Sequence, residues 1–141
     1  MISYRQYNAN PKNRKTGDCT TRALSIVLGI SWEDALKLQY ECAIKTKYGP
    51  FNKETLDRIM TEHGWVKMKQ PRKENNKKYL VGEIDQITYP TERKEGILIL
   101  IANHCTVVRN DNLFDIWDCR YKTIGNYWIK PFAKNRLGFN D

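Results

Sequence analysis

Gly96-Ile97-Leu98-Ile99-Leu100-Ile101-Ala102 is an unbroken apolar run in a chain of 141 residues, 28% of which are charged. It is far shorter than the ~18 residues of a membrane span. No polar residue alternates through it, so neither of its faces is marked for water. The simplest fate for such a run is a strand at the centre of a sheet, covered on both sides. Downstream, His104 to Val108 and Leu113 to Asp118 flank the turn residues Asn110-Asp111-Asn112 and predict a hairpin. Tyr127 to Lys130 reads as a further strand before Pro131.

The first half has a different rhythm. Residues 1–15 are polar and basic and read as a turn or extended lead-in around Asn10-Pro11. Cys19 to Leu28 is apolar nearly all round and closes at Gly29, which suits a left-handed helix end; Asp18 or Thr16 is a natural N-cap. Ser31 opens a second helix to about Thr46, with Trp32, Ala35, Leu36, Cys42 and Ala43 inward. Asn52 caps a third over about 53–63, ending at His63 and Gly64. Trp65 to Lys69 alternates as a strand, and Val81 to Ile87 holds one or two helical turns. Helices followed by strands, with no linker and no repeat, predict one α+β domain over residues 1–141. Its N-terminal helices should pack on a C-terminal antiparallel sheet.

Function is most legible at Cys19. A cysteine in the first turn of a helix meets unpaired N–H groups and the positive end of the helix dipole, which favours thiolate over thiol. A base and an acid to accompany it lie in the hairpin. A three-residue turn centred on Asp111, with Asn112 left-handed, puts His104 directly opposite Asp118, with Cβ atoms ~5 Å apart. A two-residue turn at Asn110-Asp111 would slip the register by one and send Asp118 to the other face. The first arrangement is the favoured one. Cys19, His104 and Asp118 would then be nucleophile, proton shuttle and orienting acid for acyl transfer. His63 reads as a helix cap, and Cys42, Cys105 and Cys119 as packing. The four cysteines lack the paired spacing of a zinc site, so neither metal nor cofactor is expected.

These residues carry a family resemblance. Gly17-Asp18-Cys19-Thr20-Thr21-Arg22-Ala23-Leu24 resembles the cysteine motif of papain-like peptidases, above all the OTU-type deubiquitinase pattern Asp-Gly-Asn-Cys, aromatic, Arg, Ala. Asn103-His104 and Trp117-Asp118 look like the His and Asp motifs of that clan. Most of residues 8–130 is similar to small papain-like proteins of tailed bacteriophages and their bacterial hosts. Those share Lys-Thr-Gly-Asp-Cys and an Asp-x-Trp-Asp-Cys segment, here Asp115-Ile116-Trp117-Asp118-Cys119. The resemblance implies a papain-like fold, a thiol protease or other amide hydrolase, and a bacterial or phage-infected cytoplasm. It also implies an oxyanion hole in which Asn13, where such enzymes usually carry Gln, joins the Cys19 backbone N–H.

The net charge of +8 favours an anionic partner. Trp65 to Leu80 concentrates it: Lys67, Lys69, Arg72, Lys73, Lys77 and Lys78 stand against Glu74 alone. A protein or peptide substrate of acidic character is the first expectation. A silent papain-like scaffold that binds a host protein or an anionic nucleotide is the second. Nucleic-acid binding, with Tyr4, Tyr7 and Tyr79 as stacking residues, has no motif behind it. Met1-Ile2-Ser3-Tyr4 does not open a secretory signal and no span is present, so no membrane role and reduced thiols are expected.

Overall fold

The computed structural model describes residues 1–131. Helices α1 (Cys19–Leu28), α2 (Trp32–Thr46) and α3 (Lys53–Glu62) come first, after a short strand β1 (Ser3–Gln6). Strand β2 (Val66–Met68), a 3-10 helix (Val81–Gln86) and α4 (Pro90–Glu95) lead into β3 (Ile97–Ile101), β4 (His104–Arg109), β5 (Asn112–Asp115) and β6 (Tyr127–Ile129). The strands form one sheet in the order β1-β5-β4-β3-β6-β2. The chain is thus α+β. None of its helices, among the described residues, is long and apolar enough to cross a membrane.

The apolar run is β3, paired antiparallel with β4 on one side and β6 on the other. Its alternate residues serve two cores. Ile97, Ile99 and Ile101 pack with Val81, Ile84, Val108, Leu113 and Ile124 on one face. Leu98 and its neighbours Val107 and Trp128 meet α1 and α3 on the other, through Leu24, Val27, Leu56 and Ile59. Both faces are covered, so the strand needs no polar alternation. Each such side chain taken from water contributes ~1.5–3 kcal/mol.

Two expectations are corrected. The sheet is mixed, not antiparallel, because β1 pairs parallel with β5, Ser3 with Asn112 through Gln6 with Asp115. The polar, mostly exposed Ser3-Tyr4-Arg5-Gln6 gave no strand pattern, and its partner lies more than a hundred residues on. The hairpin turn also differs. Arg109 pairs with Asn112, Val108 with Leu113 and Val107 with Phe114, so the loop is the two residues Asn110-Asp111. Both are left-handed, φ 51° and 62°, the geometry whose twist matches antiparallel strands. The register is therefore the slipped one.

Helix ends follow the sequence closely. Gly29 closes α1 in the left-handed region, φ 67°. The Ser31 hydroxyl accepts from the Asp34 N–H, the Asn52 amide oxygen from the Glu54 N–H. His63 ends α3, its Nδ1 2.7 Å from the Ile59 carbonyl.

Candidate active site

Helix α1 delivers Cys19 as its first residue, half-buried at the head of a cleft of about 590 Å³. Asp18 occupies the N-cap position without capping; its carboxylate is turned inward instead. It accepts from Arg22 Nε at 2.9 Å, Trp32 Nε1 at 3.0 Å and Asn10 Nδ2 at 3.1 Å. The amino end of α1 thus keeps its N–H groups for other work, and the Cys19 N–H finds no acceptor among the described residues.

His104 opens β4 and lines the same cleft as Cys19, where each group biases the charge of the other. The ring's Nε2 is held at 2.6 Å by Asp115 Oδ2. Asp115 is buried, and Oδ1 accepts from its neighbour's backbone N–H, that of Ile116, at 2.7 Å. The acid at the imidazole is therefore Asp115, not Asp118. The two-residue turn explains the difference. Carried one step beyond Val107–Phe114, the register sets Asp115 across from Thr106, a diagonal neighbour of His104. Asp118 is spent elsewhere, on Arg120 at 2.8 and 2.9 Å.

The electrostatics favour an ion pair. Burial alone would raise the Cys19 pKa. The neighbouring His104 imidazole and the Cys105 backbone outweigh that, and the thiol lies below its ordinary range. Burial alone would likewise lower His104, but the Asp115 and Cys19 contacts raise it to about 9. Asp115 is burdened by burial yet held below the usual carboxylate range, first by its bond to His104. A negative sulfur beside a positive ring is the arrangement those directions select. The neighbouring thiols go the other way: burial pushes Cys105 well up and Cys119 to about 12.

Arg22 ties the cluster together from one turn along α1. Buried itself, it reaches Asp18 with Nε and Asp115 Oδ1 with Nη1, the latter at 3.4 Å. Trp117 covers the outer side, its ring 5.3 Å from that of His104. Its indole nitrogen lies 3.2 Å from Nε2. His104, Asp115 and Cys119 hold donor atoms within 4.8 Å of one another and are the one described group able to ligate a metal. As they stand, His104 and Asp115 are hydrogen-bonded to each other at 2.6 Å.

The other sequence candidates scatter. Asn13 is exposed, left-handed at φ 52°, and does not line the cleft, so no oxyanion donor comes from it in this arrangement. Of the basic segment, Lys78 alone lines the cleft. Lys73 pairs with Glu83 at 3.0 Å, Arg72 donates to the Asn76 carbonyl and Gln70, and Lys67 lies 5.9 Å over Trp128. Lys69 and Lys77 are exposed. Tyr4 hydrogen-bonds the Asp115 carbonyl, Tyr7 packs edge-on to Phe114, and Tyr79 sits beneath Lys73. Lys53, which sequence reasoning did not single out, joins Lys78 in the cleft wall.

No protein-family model, curated protein or solved structure matches the chain.

Proposed function

We propose that this chain is a papain-like cysteine hydrolase that cleaves a peptide, isopeptide or other amide bond. One observation carries the reading: a helix-start sulfur that shares a cleft with an imidazole, itself held by a buried carboxylate at 2.6 Å. The thiolate attacks the carbonyl carbon, and the developing oxyanion takes the free Cys19 N–H. Collapse of that adduct expels the amine, which leaves with the proton of the His104 imidazolium and frees a thioester. Neutral His104 then removes a proton from water, and attack by that water releases the acid and restores the thiolate. Asp115 holds the ring so that one nitrogen faces the sulfur through both half-reactions. The helices laid on one face of the sheet, with the nucleophile on α1 and base and acid on β4 and β5, are consistent with the resemblance to the papain-like clan. On that resemblance we place its work inside a bacterial or phage-infected cell.

Iodoacetamide at neutral pH tests the reading directly. Cys19 should be alkylated before the other three thiols, and Cys19→Ala should abolish hydrolysis of fluorogenic peptide amides while leaving the circular dichroism spectrum intact. Equal labelling of all four thiols would leave the silent scaffold, binding a host protein or an anionic nucleotide, as the surviving alternative.

A further inference from the structure

The cleft that presents Cys19 and His104 carries charge of one sign. Lys53, at the first position of α3, and Lys78 both line it, and no Asp or Glu does. Both lysines are exposed and unengaged: the lysine ion pairs among the described residues are Lys73–Glu83 and Lys130–Glu95. The charge of Lys53 adds to the positive end of its own helix and does not offset it. Asp115, the nearest carboxylate behind the cleft, is already committed to His104 and Arg22. The rest of the lining is apolar at Phe51 and Leu100 and polar at Asn126.

We propose that this cleft selects an acidic peptide segment, with an Asp or Glu beside the scissile carbonyl meeting the Lys53 and Lys78 ammonium groups. The inference rests on the hydrolase reading and adds to it the substrate class. A peptide fits better than a nucleic acid, because a thiol–imidazole pair acts on carbonyls. A strand of phosphates would also need a continuous basic track, and Lys67, Arg72 and Lys73 are turned to partners within the protein.

The test uses short chloroacetyl peptides that differ only in Glu, Gln or Lys beside the reactive carbon. The Cys19 sulfur displaces chloride and leaves a thioether, read by intact mass. At low ionic strength the Glu probe should react ~3–10 times faster than the Gln probe and the Lys probe slower, with the differences shrinking as salt is added. In the double variant Lys53→Gln, Lys78→Gln the Glu-to-Gln rate ratio should fall toward one. Equal Glu and Gln rates in the unaltered protein, with iodoacetamide still selective for Cys19, would overturn the inference and leave the hydrolase reading standing. Protection of Cys19 by a single-stranded oligonucleotide, without any Glu preference, would assign the cleft to nucleic acid and overturn it too. Loss of iodoacetamide selectivity itself would remove the hydrolase reading and this inference together.

Discussion

Replacement of Asp115 by Asn isolates what the buried acid does for the sulfur. His104 stands at about 9 against an ordinary 6.5, although burial works in the opposite direction. That difference corresponds to ~3 kcal/mol in favour of the imidazolium. Asp115 is the first of the two groups that raise it, Cys19 the second. Half of the effect assigned to Asp115 is ~1.5–2 kcal/mol, or a ~10- to 30-fold drop in the thiolate–imidazolium population. The fold should tolerate the change: Asn keeps an acceptor for the Ile116 N–H, and Arg22 retains Asp18. Iodoacetamide alkylation of Cys19 at pH 6–7 should therefore slow by ~10- to 30-fold in Asp115→Asn. In Asp118→Asn it should change by less than about twofold, because the carboxylate there is paired with Arg120 and makes no hydrogen bond to the imidazole. The reasoning is refuted if Asp118→Asn is the slower variant, or if Asp115→Asn reacts like the parent with an unaltered near-ultraviolet spectrum.

The pH profile of turnover should be bell-shaped. Activity rises as pH climbs through the depressed pKa of Cys19, and falls as it passes about 9, where His104 loses the proton the leaving amine requires. An alkaline limb near 6.5 would contradict the raised imidazole. Arg22→Leu strands the buried carboxylates of Asp18 and Asp115 without their shared cation and should cost ~3–5 kcal/mol in urea unfolding. An unchanged urea midpoint would show that the bridge does not contribute.

What could be read from the sequence was local. A helix that begins at Cys19 and ends at Gly29, and a strand that begins at His104, are each set by a few neighbouring residues, so the positions of Cys19 and His104 in the fold could be placed from composition and spacing. The acid depended on one unit of register. Asn110 and Asp111 both accept left-handed backbone, and so does Asn112, so the loop alone left two turns open. The two-residue turn carries Asp115 to the imidazole and leaves Asp118 with Arg120. Asp18 misled in a similar way. An acid before a helix suggests a cap, whereas three donors from residues 10, 22 and 32 draw this one into the interior. Strand β1 was illegible because an exposed edge strand of four polar residues owes its conformation to a partner at the far end of the chain. Helix α4, Pro90–Glu95, was too short to show a period.

The parallel clasp of residues 3–6 on 112–115 has a bearing on timing. A ribosome releases the cysteine nearly a hundred residues before the segment that carries the carboxylate, and contacts so far apart in sequence form late. Until then the sulfur has neither ring nor acid beside it. On the proposed hydrolase reading, reactivity at Cys19 therefore arrives only with the closing of the sheet.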